Sequence, residues 1–191
     1  MQHTGHMMLR TAIETIREQK HLLLEFDGAT EPKNPGGVSS SAWAITSLDK
    51  DQPQMVLAEE CRIVAESGPD STNNFAEYCG VGLGLKFLCD SKWKGQELTI
   101  QGDSQLIIRQ LSGEYETRHP RLKLLRARIM DRLKEFGFLC PGNLDSLCEI
   151  DNTKCYLNWV PRDMNEYCDA LTKRAYETFT QKKFPTRRRK K

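Results

Sequence analysis

The apolar positions of this chain, read in order, predict an alternation of strands and helices. Leu9, Ala12, Ile13 and Ile16 recur at helical spacing with Arg10, Glu14, Arg17 and Glu18 between them. That pattern is a short amphipathic helix placed before the main fold, within residues 1–20. His21–Asp27 (HLLLEFD) is an apolar strand ending in a carboxylate, and Ser41–Thr46 (SAWAIT) and Met55–Val64 read as two more strands. The Pro- and Gly-rich stretch Gly28–Gly37 reads as the first loop, and short links between the three strands predict an antiparallel meander. Asn74–Cys89 places Phe75, Cys79, Leu83 and Phe87 on one helical face, with Glu77 to its side. Gly80, Gly82 and Gly84 each cost a helix about 1 kcal/mol against Ala, and their alternation would also fit a strand. A helix pressed closely on a sheet is the preferred reading.

Leu98–Asp103 (LTIQGD) is another strand ending in Asp, and Ser104–Leu111 a short helix closed by Gly113. Pro120–Phe136 is the clearest helix, with Leu122, Leu125, Ile129, Leu133 and Phe136 as its buried stripe. Arg121, Arg128 and Arg132 lie beside that stripe; a solvated face and a phosphate-facing flank both fit them. After an acidic loop, Phe138–Lys154, come a last strand, Cys155–Val160, and a last helix, Asn165–Thr180. Three strands, helix, strand, two helices, strand and helix make an α/β layer fold on a mixed sheet.

Composition changes this picture little, and charge changes it more. With 191 residues the chain suits one domain of ordinary size plus extensions. Its apolar runs are too short for a membrane-spanning helix, and residues 1–10 lack the features of a signal peptide. Seven cysteines without an export signal predict reduced thiols in an intracellular, cytoplasmic protein, or a nuclear one in a eukaryotic host. Cys140, Cys148 and Cys155 share one segment, but not at the short spacing that zinc sites favour. The net charge of +2 hides an asymmetry: without Arg187–Lys191 there are 23 basic residues against 26 acidic. The body is slightly acidic and the tail, 181–191, is basic. Such a tail solubilises, contacts phosphates, or serves as a nuclear-import signal.

The candidate chemistry lies in the acids. Asp27 and Asp103 end strands, Glu77 sits near a helix start, and Asp169 follows Asn165 by four residues in the last helix. Taken singly, each is an ordinary turn or surface acid. Gathered at one point, they would repel one another unless a cation neutralised them. Oxygen donors without nearby His or Cys suit Mg²⁺ or Mn²⁺.

Four stretches together resemble the type 1 ribonuclease H family: Phe26–Gly37 (FDGATEPKNPGG), Ser71–Tyr78 (STNNFAEY), Thr99–Ile107 (TIQGDSQLI) and Trp159–Leu171 (WVPRDMNEYCDAL). They stand in the family's order across residues 21–180, and the last motif is similar to the archaeal and bacterial branch. The resemblance implies a five-stranded mixed sheet, three antiparallel strands then two parallel, flanked by helices. It also implies hydrolysis of the RNA strand of an RNA/DNA hybrid, giving 5′-phosphate and 3′-hydroxyl ends. Asp27, Glu77, Asp103 and Asp169 would hold two Mg²⁺ (or Mn²⁺) ions, with Asp27 bridging them. Substrate contacts map onto Gly28, Asn34, Asn73, Asn74, Ser104 and Gln105. Asn and Gln side chains suit the 2′-hydroxyl and base edges of an RNA strand.

The chain also departs from the family. Pro161–Cys168 lacks the His that many members carry, and Arg162 stands in that stretch, either facing a phosphate or as a surface cation. Gly113–Pro120 leaves no room for a basic handle helix, and the Phe138–Lys154 loop is long for the family. The expected arrangement is therefore an N-terminal helical extension (1–20), a catalytic domain (21–180) and a basic tail (181–191), acting as a monomer without membrane contact. Two alternatives stay open: a non-catalytic nucleic-acid-binding module, or a nuclease of the same fold with another RNA or DNA substrate.

Overall fold

The computed structural model describes residues 11–50, 54–138 and 154–183. β1 (His21–Glu31) is central: Leu22, Leu24 and Phe26 are fully buried, with half-buried Leu23 and Glu25 between them, the period-two signature of a strand covered more completely on one face. It pairs antiparallel with β2 (Val38–Ser47), which pairs antiparallel with β3 (Val56–Ala65). On its other side β1 pairs parallel with β4 (Glu97–Gly102), and β4 pairs parallel with β5 (Lys154–Trp159). The sheet order is β3-β2-β1-β4-β5, as expected from the sequence. The helices are α1 (residues 11–18), α2 (Asn73–Ser91), α3 (Gln105–Ser112), α4 (Pro120–Glu135) and α5 (Glu166–Lys183).

One boundary needs correction because it moves a functional candidate. β1 does not end at Asp27 but continues to Glu31, since Gly28–Glu31 pair with Ser41–Val38 across the hairpin. Only from Pro32 onward does the Pro/Gly-rich stretch form the connection. Asp27 is therefore a residue within a strand, held by ladder bonds on both sides of it.

α2 is a helix despite its three glycines. Thr72 caps it, its side chain accepting from the Phe75 N–H at 3.1 Å. A Cβ on Gly80 would stand 2.7 Å from the Ala42 carbonyl, and one on Gly84 would stand 2.4 Å from Leu24 Cδ1. These two glycines let the helix backbone lie directly on β1 and β2. The buried stripe of α2 is accordingly Tyr78, Val81, Leu85 and Leu88, turned away from the Cys79–Leu83–Phe87 line predicted. Those three are only partly buried and pack at the margin of the core, the Phe87 ring lying 4.9 Å from that of Trp43 on β2.

α4 packs on α2 through Leu122, Ile129, Met130 and Leu133, with Leu125 and Phe136 less buried than expected and Met130 more. Its arginines are largely occupied by the fold itself. Arg121 lies 3.6 Å over the Phe75 ring, Arg132 donates to the Gly82 carbonyl at 2.6 Å, and Arg126 donates to the Gln110 carbonyl at 2.6 Å. This flank is partly a helix-docking surface, an outcome that neither sequence reading of it contained.

α5 packs against β1, β2 and β3, and its Cys168 and Thr172 are fully buried. The segment before β1 is tied into the main core: Ile16 is fully buried, Trp93 donates to the Gln19 carbonyl, and Arg17 donates to the Ser91 carbonyl. The described cysteines form no disulfide with one another, and no described helix is long and apolar enough to cross a membrane. Cys140, Cys148, most of the 138–154 loop and the Thr186–Lys191 run lie outside the described residues.

Candidate active site

Four elements deliver carboxylates to one end of the sheet. The parallel β1/β4 ladder ends at Glu25 opposite Gln101; Asp27 lies two residues further along β1, and Asp103 immediately follows β4. The Phe26 ring fills the space beside them: a Cβ on Gly102 would come within 2.6 Å of it. Glu77 arrives from the second turn of α2. Gly28 makes that approach possible, since a Cβ there would stand 2.2 Å from the Glu77 backbone nitrogen. The family resemblance maps a substrate contact onto Gly28; in the structure its lack of a side chain serves the approach of α2. Asp169 comes from the first turn of α5.

Asp27, Gly28, Asn73, Glu77, Asp103, Arg162 and Asp169 line one pocket of about 300 Å³. Asn34, Asn74, Ser104 and Gln105 are not among its walls. Asn34 is exposed, and its side chain accepts from the Asn73 N–H at 3.2 Å. Asn73 in turn accepts from the Thr30 N–H at 2.8 Å, which ties the start of α2 to the end of β1. Ser104 hydrogen-bonds Glu77 from the start of α3, and Gln105 is exposed.

The electrostatics follow from burial and crowding. Burial, reinforced by the negative charges of Asp27 and Asp103 and opposed by the Ser104 bond, pushes the Glu77 carboxyl up to about 8. Its Oε2 is enclosed without any hydrogen-bond partner. Burial and then the charge of Asp103 also raise Asp27. For Asp169 burial works in the opposite direction to the outcome: bonds from Lys173 and Arg162 hold it below the usual range. Arg162, the residue expected near a phosphate, thus donates to Asp169 Oδ1 at 3.2 Å.

Asn165, immediately before α5, and Thr172 within it hold the strand acids, and the sequence reading gave neither a role. Buried Asn165 donates to the Phe26 carbonyl at 3.0 Å and to Asp103 Oδ1 at 3.2 Å. Thr172 donates to Asp27 Oδ2 at 2.9 Å. The signal available was helical spacing: Asn165, Asp169 and Thr172 fall on one face of α5. Trp159 completes the surround, its indole N–H donating to the Asp103 carbonyl at 3.0 Å.

An all-oxygen donor set with an orphaned, buried carboxyl oxygen fits a hard divalent cation. Among the described residues no three acids, histidines or cysteines are already drawn together as a finished metal cluster.

A β3-β2-β1-β4-β5 mixed sheet between α2/α4 and α5, with acids converging from β1, α2, β4 and α5, defines the ribonuclease H fold. The reverse transcriptase-like family model matches residues 25–139, more than half of the chain, and the chain belongs to that family. The type 1 ribonuclease H resemblance carried by the four motifs is borne out. Ribonuclease HI of Halobacterium salinarum is 31% identical over 155 residues, covering 80% of this chain and 62% of that protein. A crystal structure of ribonuclease H1 from the same organism superposes with a TM-score of 0.64 at 27% identity, covering 83% of this chain and 98% of that one. A bifunctional protein of Mycobacterium tuberculosis is 26% identical over 161 residues, 84% of this chain but 36% of that protein. The chain thus spans less than two thirds of the length of these curated relatives. In fold it is also similar to LC11 ribonuclease H1, solved in complex with an RNA/DNA hybrid, with a TM-score of 0.64 at 24% identity over 83% of this chain and 98% of that one.

Proposed function

We propose that this protein hydrolyses the RNA strand of RNA/DNA hybrids in a divalent-metal-dependent reaction that leaves 5′-phosphate and 3′-hydroxyl ends. The observation that carries the reading is the convergence of Asp27, Glu77, Asp103 and Asp169 on one pocket, with Glu77 Oε2 buried and unbonded. Asp27, Glu77, Asp103 and Asp169 would hold two Mg²⁺ ions, with Mn²⁺ as the alternative. Bound there, the ions would supply Lewis-acid chemistry to the attacking water and to the departing 3′-oxygen. Asp27 is assigned the bridging role. Asn165 and Thr172 keep the strand carboxylates oriented, and Trp159 anchors the backbone of Asp103.

On the substrate side, Gly28, Asn34, Asn73, Asn74, Ser104 and Gln105 are assigned to the hybrid. Gly28 and Asn73 have the best support, since they share the pocket wall with the acids. Arg162 is highly exposed at the pocket mouth and would exchange its bond to Asp169 for a phosphate oxygen. The reading includes a monomer in the cell interior, a catalytic unit over 21–180, the segment 1–20 before it and the basic tail after it.

The test is a substrate panel. Labelled RNA/DNA hybrid, double-stranded RNA and double-stranded DNA are incubated with purified protein in Mg²⁺ or in EDTA. Cleavage of the hybrid RNA strand alone, abolished by EDTA, is expected. Equal cleavage of another duplex would overturn the substrate assignment, and metal-independent cleavage would overturn the mechanism.

A further inference from the structure

Among the described residues Thr172 is the one fully buried hydroxyl that touches an active-site carboxylate from outside the acidic set, with none of its surface exposed. A threonine inside a helix ordinarily turns its hydroxyl back on its own helix, bonding the carbonyl three or four residues earlier. Thr172 has that acceptor available, the Asp169 carbonyl at 2.8 Å. It also has Asp27 Oδ2 at 2.9 Å, on a strand 145 residues away. One hydroxyl proton cannot serve both acceptors fully at once. The side chain therefore stands as a junction between β1 and α5, the two elements that carry Asp27 and Asp169.

We infer that Thr172 is a positioning residue for metal binding: its hydroxyl fixes the plane of the Asp27 carboxyl group and couples it to the α5 turn bearing Asp169. The inference rests on the reading of Asp27 as a metal ligand. A buried hydroxyl must find a partner or be penalised, so an apolar side chain would be the simpler choice at a site needed only for packing. Among the described residues no other α5 side chain hydrogen-bonds Asp27: Cys168 bonds the Ala44 backbone, and Asn165, just before α5, is engaged with Phe26 and Asp103. Fixing Asp27 Oδ2 orients a carboxylate assigned to bridge two ions, and partners of metal ligands commonly govern affinity in this manner.

The test compares Thr172→Val, which keeps shape and loses the hydroxyl, with Thr172→Ser, which keeps the hydroxyl and loses the methyl. Mg²⁺ binding by titration calorimetry and single-turnover cleavage of the hybrid are measured side by side. Thr172→Val is expected to weaken Mg²⁺ binding roughly tenfold or more and to slow cleavage similarly, with hybrid KM held within about twofold. Thr172→Ser is expected to restore both. If Val does not fold, Thr172→Ala against Thr172→Ser supplies the same contrast, with circular dichroism as the check on folding. Wild-type Mg²⁺ affinity in Thr172→Val, or an equal loss in Thr172→Ser, would overturn the inference. Failure of the wild-type protein itself to bind Mg²⁺, or to cleave, would instead overturn the functional reading beneath it.

Discussion

At the scale of single residues, the site joins two carboxyl groups whose ionisation is suppressed, Glu77 and Asp27, to one held ionised by its cationic neighbours, Asp169. Glu77 illustrates the energetic consequence. Its carboxyl titrates near 8 in the folded protein against an ordinary value of 4.5, so the folded state retains a proton that the unfolded chain has released. Because the unfolded state binds fewer protons between pH 4.5 and 8, stability falls across that window and then levels off. Glu77→Gln, which mimics the protonated form, should remove this component. Denaturant melts in EDTA should show the variant gaining over wild type as pH rises, reaching about 4 kcal/mol at pH 8 and shrinking toward pH 5. A pH-independent difference would mean that Glu77 is not held protonated. The same substitution should weaken Mg²⁺ binding, separating stability from function as active sites commonly do.

At the scale of elements, α2 shows how local preference yields to packing. Three glycines at alternate positions weaken a helix in isolation, but two of them are where α2 touches the sheet. Gly80→Ala would drive a methyl group into the Ala42 carbonyl, a backbone atom that cannot move aside, and should destabilise the protein by about 1–3 kcal/mol. A Cβ on Gly82 would meet only side-chain atoms at ordinary contact distance, the Arg132 guanidinium at 3.6 Å and Ile129 Cγ1 at 3.9 Å, so Gly82→Ala should be neutral or stabilise by up to roughly 1 kcal/mol. Thermal melts of the pair check this. Equal effects would mean that helix propensity, not contact with β2, governs both positions. The sequence made the order of elements legible because each carries its own period and its own ends. It made the four acids legible because each stands in a recognisable motif. It hid what depends on long-range placement. Nothing near Thr172 reveals that Asp27 lies across from it, and nothing near Arg121 or Arg132 reveals that an aromatic ring and a helix carbonyl will occupy them. The extent of β1 was hidden for the same reason, since Gly28–Glu31 are strand only by virtue of their pairing with β2.

At the scale of the whole molecule, charge is divided between an acidic body and a cationic terminus. In the proposed reaction the body's acids are offset by bound ions, and the arginines of α4 are largely committed to α2 and its neighbours. Among the described residues Lys123 and Arg128 are the α4 cations with no bond or ion pair. In the proposed function Arg187–Lys191 would add a sequence-independent hold on a duplex. Deleting these five residues should weaken hybrid binding at low salt and flatten its salt dependence, each lost phosphate contact removing roughly one unit of slope. Turnover at saturating hybrid should be unchanged; equal affinities for the two proteins across a salt series would contradict the assignment. The central claim concerns the acids themselves, and Asp103→Asn tests it most directly. The substitution preserves size and leaves the bond from Trp159 to the backbone carbonyl in place, so the fold should persist by circular dichroism. In Mg²⁺, with preparations free of other nucleases, wild-type protein should cleave the RNA strand of a labelled hybrid while Asp103→Asn falls by a factor of about 10³ or more. Undiminished cleavage by a folded Asp103→Asn protein would contradict the account.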